Sequence, residues 1–210
     1  MKVLEKKRKR FHWIEISLAV GLVCFLLWGV AAQHQQQALA EKVVRLHILA
    51  NSDSEDDQAL KLRVRDQVLA RATEILQQSK DRAEAEELLQ ADLPELETIA
   101  QDEVHRAGYA YHVSAKLEKT AFPTREYDGF TLPAGEYLAL RIIIGAGAGH
   151  NWWCVVFPPL CTQSAENVAS TAMASGLSED DVKLITEDGG GYVLKFKSIE
   201  LWEQLKEKLS

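Results

Sequence analysis

The sequence predicts an α+β domain, a mixed or mainly antiparallel sheet covered by helices on one face, preceded by an N-terminal signal or anchor helix. Three observations predict it. The chain opens with a basic stretch and then an uncharged apolar run. Apolar residues next recur at threes and fours, between about residues 55 and 106. Beyond Gly108 the spacing of apolar residues changes to two.

Lys2, Lys6, Lys7, Arg8, Lys9 and Arg10 make the start basic, and the run Ile16 to Ala32 carries no charge. Seventeen helical residues span roughly 26 Å, at the short end for a bilayer core of about 30 Å. A basic segment followed by an apolar one is the layout of an export signal. Two cleavage sites fit: one after Ala32 (Val30-Ala31-Ala32), where the apolar run ends, and one after Ala40 (Ala38-Leu39-Ala40), the better A-x-A match but eight residues further on. The QHQQQ stretch between them reads as a polar spacer. If neither site is cut, the chain stays anchored in the membrane by this helix. In both cases positive charge stays inside and the rest is extracytoplasmic. Residues 1–40 are therefore read as a signal peptide or membrane anchor with spacer, and residues 41–210 as a single exported domain. Cys24 follows Val23 rather than a small residue, so it is not read as a lipidation site.

Of 24 basic and 31 acidic residues, six and two lie in the first 40, which leaves 18 against 29 beyond them. A domain with net charge −11 repels phosphate backbones, so nucleic-acid binding is excluded.

The exported part opens with Val44, Leu46 and Ile48 alternating with Arg45, His47 and Leu49, a strand stopped by Asn51-Ser52-Asp53. Ser52 with Glu55, and Ser54 with Asp57, have capping-box spacing. Leu60, Val64, Val68, Ala72, Ile75 and Leu76 then mark a helix to about Gln78. Leu88, Leu89, Leu96, Ile99 and Val104 mark a second helical region. Pro94 either begins a new helix capped by Asp92 or kinks a single one, and Gly108 is the stop. Tyr109, Tyr111, Val113, Ala115 and Leu117 begin an antiparallel meander, with turns at Asp128-Gly129, Pro133-Ala134-Gly135 and Gly145 to Gly149. YLALRIII, nearly all apolar, reads as a central strand. SAENVASTAMASG reads as a short helix, GGGYVLKFK as a strand, and SIELWEQLKEKL as a closing amphipathic helix.

Candidate chemistry is sparse. The glycine run 145–149 lacks the G-x-G-x-x-G spacing and the following helix of a dinucleotide site, so it reads as a hairpin loop. No cofactor motif is present. His150 and Cys154 suggest a nucleophile pair with Asn151, but on a strand they stand about 13 Å apart. Cys154-x6-Cys161 lacks the spacing of a zinc clip, so no metal site is expected. In an exported domain with just these two cysteines, a Cys154–Cys161 disulfide is expected; two buried thiols are the alternative. Trp152 and Trp153 point to opposite sheet faces. One belongs to the core; the other lies under a helix or stands exposed as a binding anchor. His47, Asn51, Asp53 and Gln58 cluster at the strand-to-helix turn and invite an active-site reading, but capping and turn chemistry explains Asn51, Ser52, Asp53 and Ser54 without any activity.

VVRLHILANSDSEDDQALKLRVRDQVL (43–69) and NWWCVVFPPLC (151–161) resemble the signatures of the stage II sporulation protein R family of endospore-forming bacteria. The resemblance implies a signalling protein and not an enzyme. Such a protein is exported from the forespore into the intermembrane space, where it activates a membrane-embedded protease that processes the sigma-E precursor. It implies no catalytic residue. It makes the turn at His47, Asn51 and Asp53, and the aromatic segment at Trp152 and Trp153, candidate partner-binding surfaces. The alternatives are an exported cell-wall hydrolase and a wall- or membrane-associated structural module.

Overall fold

A computed structural model describes residues 2–162 and 164–186. The chain forms two units, Met1–Gln37 and Ala38–Ser210. Helix α1 is Lys2–Ala40. Within it, Glu15–Ala40 is 26 residues long and apolar enough to cross a membrane, about 39 Å at 1.5 Å per residue. Its large apolar side chains from Ile16 to Val30 are exposed.

The second unit is α+β with a mixed four-stranded sheet. Its elements are β1 (Val44–Leu49), α2 (Glu55–Leu76), α3 (Arg82–Arg106), β2 (Val113–Phe122), β3 (Arg125–Tyr127), β4 (Phe130–Leu132), β5 (Gly135–Ile144), β6 (Asn151–Phe157), α4 (Val168–Ala174) and α5 (Glu179–Thr186). Two short 3₁₀ turns cover Leu160–Thr162 and Ala165–Asn167. The strand order is β2-β5-β1-β6, and β3 pairs with β4 in a separate hairpin. β1 runs parallel to β5 and antiparallel to β6. The expected meander is thus broken: β1 lies between β5 and β6. Residues 145–150 are consequently not a hairpin loop but a crossing over the end of β1.

α2 begins where Ser54 accepts the Asp57 N–H at 3.2 Å, so Ser54 rather than Ser52 is the cap. Glu55, Asp56 and Asp57 fill its first turn, where carboxylates complement the helix dipole. α3 is one helix with Pro94 inside it, capped by Asp81. Asp92 is no cap; its carboxylate takes a two-pronged contact from Arg71 on α2, at 2.6 and 2.9 Å. Gly108, at φ 86°, stops α3, and the Tyr109 N–H reaches back to the Val104 carbonyl at 3.1 Å. β2 begins four residues later than the alternation suggests, because Tyr109 and Tyr111 stack on each other first. Its outer edge is covered by α3: Gln101 Oε1 accepts the Val113 N–H and Glu97 Oε2 the Ala115 N–H, at 2.9 and 2.8 Å.

Both sheet faces are covered, where helices on one face were expected. Val44, Leu46, Ile48, Leu138, Leu140, Ile142 and Cys154 pack under α2 and α3. The opposite face packs Phe122, Tyr137, Ala139 and Val155 against Leu39, Val43, Leu132, Val168 and Leu184. The helix expected at 164–176 is a 3₁₀ turn followed by α4, and α5 was not anticipated. The expected strand at 189–197 and closing helix at 198–209 lie outside the described residues.

Candidate functional site

β1 ends and β6 begins at the same edge of the sheet, since Leu49 pairs with Asn151. That register brings the turn 50–54 against the loop 145–150. Asn51 ties them: its Nδ2 donates to Asp57 at 2.8 Å and its Oδ1 accepts the Ala146 N–H at 3.0 Å. Asp53 accepts the His150 backbone N–H at 2.5 Å and also pairs with the His150 ring. Lys61, buried on α2, donates to Gln58 at 2.5 Å and to the His150 carbonyl at 2.8 Å. Gln58 in turn donates to the Ser52 carbonyl at 2.9 Å. Two glycines let the loop close this tightly. A Cβ on Gly149 would strike the Ser52 carbonyl, and one on Gly145, at φ 58°, would strike the Asn51 side chain.

Asp57 is the acceptor at the centre. Burial raises its pKa, but hydrogen bonds from Ser52, Asn51, Tyr111 and Ser54 outweigh that and hold it below the usual carboxylate value. Burial pushes Lys61 down, and the charge of Asp53 partly restores it.

Beneath this end, on the face opposite α2 and α3, His47 is 4 % exposed. Its ring lies on Trp153 with centroids 3.9 Å apart and planes 16° from parallel, and Phe122 meets it edge-on at 5.9 Å. Its Nε2 lies 2.9 Å from Asn151 Oδ1, which assigns the proton to Nε2. Burial lowers the His47 pKa; the Asn151 contact raises it, and the charges of Arg141 and Arg45 lower it further. The ring is therefore neutral at pH 7.

Arg45, two residues earlier on the same strand face, is fully buried without a carboxylate partner among the described residues. Its Nη2 donates to the Tyr127 hydroxyl at 2.6 Å. The guanidinium carbon sits 4.0 Å from the Phe122 centroid and 4.8 Å from that of Tyr137. Ring faces thus stand where an acid would otherwise be needed. Sequence reading missed Arg45 and Lys61. Alternation does not say what covers Arg45, and the rings that enclose it come from 77 to 92 positions away.

Neither tryptophan stands out as an exposed anchor; both are half-buried. Trp153 lies against His47 and Phe122, at the rim of the second core. Trp152 packs on the α2–α3 side with the Arg65 guanidinium 4.4 Å above its ring. Cys154 and Cys161 are bonded, with Cα atoms 5.9 Å apart. The sulfur of Cys161 accepts the Val155 N–H at 2.8 Å. Cys154 is therefore no thiolate partner for His150, which faces Asp53. Among the described residues no group of three or more His, Cys, Asp or Glu side chains is arranged to hold a metal ion. The arrangement presents a cross-tied polar rim above an aromatic and cationic layer. The apolar N-terminal helix and the disulfide are both compatible with an exported protein.

Residues 40–167 match the family model described as stage II sporulation protein R. Over 130 residues the chain is 40 % identical to stage II sporulation protein R of Bacillus subtilis (strain 168), covering 62 % of this chain and 58 % of that protein. The match thus spans less than two thirds of that relative's length. No solved structure matches. Every residue of the cross-tied rim and of the layer beneath it lies within the matched segment.

Proposed function

Because the chain belongs to the stage II sporulation protein R family, and so has a role in sporulation, we propose that it is an intercompartmental signal. Exported from the forespore into the space between the septal membranes, it activates a membrane-embedded protease that processes the sigma-E precursor. The observation that carries this reading is convergence. The two stretches that resemble the family most, 43–69 and 151–161, lie about 100 positions apart yet form adjacent strands. The loops flanking those strands are knitted into one rim by Asn51, Asp53, Lys61 and His150. A rim held this rigidly suits recognition by contact, since little order has to be imposed on binding.

The partner surface is the rim with Asn51, Asp53 and the edges of Trp152 and Trp153; His47 acts from beneath by holding Trp153 in place. The acidic domain favours a basic patch on the receptor. Activation follows from binding the protease's active state more tightly than its resting state, because a ligand shifts an equilibrium only by that difference. The basic and apolar N-terminus and the disulfide support export.

The test is reconstitution. The full chain, the protease and the sigma-E precursor are co-expressed with the export machinery intact, and precursor cleavage is followed on blots. Cleavage is expected only when all three are present and the chain is exported. Cleavage without the chain, or with a chain kept inside by deletion of residues 2–32, overturns the proposal. So does peptidoglycan hydrolysis by the purified protein.

A further inference from the structure

We infer that export processing separates the chain after Ala32, and that the second candidate site, after Ala40, is not used, because its last two residues are part of the folded domain's core. The inference rests on export and goes beyond it by assigning the mature N-terminus.

Leu39 is fully buried and Ala40 nearly so, at 0 % and 6 % exposure. Both belong to the core on the second sheet face, with Val43, Phe122, Tyr137, Val155, Leu160, Val168 and Leu184. Their backbone is engaged as well. The Leu39 carbonyl accepts the Lys42 N–H at 3.0 Å, and the Ala40 carbonyl accepts the Val43 N–H at 3.4 Å. These bonds shape the turn that delivers the chain into β1, which lies between β5 and β6. The same turn is pinned from the side by Lys42, whose Nζ meets the buried carboxylate of Asp181 at 2.5 Å. A cut after Ala40 would remove the Leu39 and Ala40 side chains from a packed core. It would also delete both carbonyls. Emptying the Leu39 and Ala40 sites leaves a void in the core, and the turn into β1 loses both of its acceptors.

A cut after Ala32 does none of this. It falls where the apolar run ends, next to the QHQQQ spacer, and Gln33 to Gln35 are exposed. A small residue is required at the position before the cut and two positions earlier. Ala40 and Ala38 match this fully at the second site; the first has Ala32 before the cut and the larger Val30 two positions earlier, so burial and not motif separates the two. Ala38 is exposed, so it can be enlarged without disturbing the core, which makes the two sites separable.

The experiment expresses the full-length chain in an exporting Gram-positive host and determines the N-terminus of the released protein by intact mass. The expected product begins at Gln33. Ala32→Leu should lower release at least tenfold, whereas Ala38→Leu should leave it within twofold of the unmodified chain. A folded product beginning at Glu41, or release that depends on Ala38, overturns the assignment while leaving export intact. A chain that reaches the outer face of the membrane but stays uncut also overturns it. A domain found only in the cytoplasm fails the export reading itself.

Discussion

The imidazole of His47 lies flat against the indole of Trp153, 3.9 Å between centroids, and so joins the first strand of the domain to the aromatic segment about a hundred residues later. Both residues were singled out as surface candidates. The stacking shows that they act together: Trp153 forms one wall of the His47 pocket, and His47 is the support for Trp153. Trp153→Ala should therefore destabilise the domain by about 3 kcal/mol, near the lower end for loss of a packed large aromatic. Trp153→Phe should recover more than half of that. Urea midpoints measure both. Trp152→Ala, on the other face, should keep a cooperative unfolding transition and lower activation of precursor cleavage severalfold in the reconstituted assay.

His47 also makes stability depend on pH in a defined window. Its folded pKa lies below the ordinary 6.5, chiefly through burial. Above that value both states are neutral and the contribution is flat. As pH falls below about 6.5 the unfolded chain takes up a proton that the folded ring refuses, so stability is lost. The slope approaches about 1.4 kcal/mol per pH unit for one such group. The groups facing the ring are Arg141, Arg45, Asn151, Trp153 and Phe122, and none of them supplies a carboxylate. Urea midpoints compared between about pH 7.5 and pH 5 should show this slope in the parent protein and a flatter line in His47→Gln.

Arg45 tests whether the ring cage needs a charge. Arg45→Ala leaves a void between Phe122, Tyr127 and Tyr137 and should cost about 3–5 kcal/mol. Arg45→Met fills the same space without a buried charge, and such replacements are often close to neutral. It should cost less than half as much as the alanine. An equal loss in both variants would show that the guanidinium over the rings is itself stabilising. Thermal and urea unfolding decide between them.

Gly149 is the closest approach between the crossing loop and the turn. Gly149→Ala pushes a methyl group into the Ser52 carbonyl, and overpacking of this kind costs about 1–3 kcal/mol. The strain should show locally before it shows globally. Amide exchange at Ala146 and His150, whose N–H groups bond to Asn51 and Asp53, should speed up more than exchange in β5.

The Cys154–Cys161 bond closes a short loop from the middle of β6 to the 3₁₀ turn at Leu160–Thr162. Reduction should lower stability by about 2–3 kcal/mol on the chain-entropy account. A comparison of urea midpoints with and without reductant measures it, and Cys154→Ala with Cys161→Ala should abolish the difference.

The sequence by itself determined the local features, because their causes are local. Period two at Val44, Leu46 and Ile48 marks β1, and the 3.6-residue recurrence from Leu60 to Leu76 marks α2. The apolar run YLALRIII marks β5 as a central strand, and Gly108 ends a helix because a residue there has to adopt positive φ. The α+β class and the family were legible for the same reason, each carried by contiguous residues. Only the tertiary structure decided where β1 sits. Its insertion between β5 and β6 depends on pairing across about a hundred residues, which no local period encodes. That one choice turned the glycine run from a hairpin into a crossing. It also buried Arg45 and His47, and brought Asn51, Asp53, Lys61 and His150 into one rim. Side chains contributed by elements distant in the chain set burial and partnership, so the rim became visible only once the strands were in order.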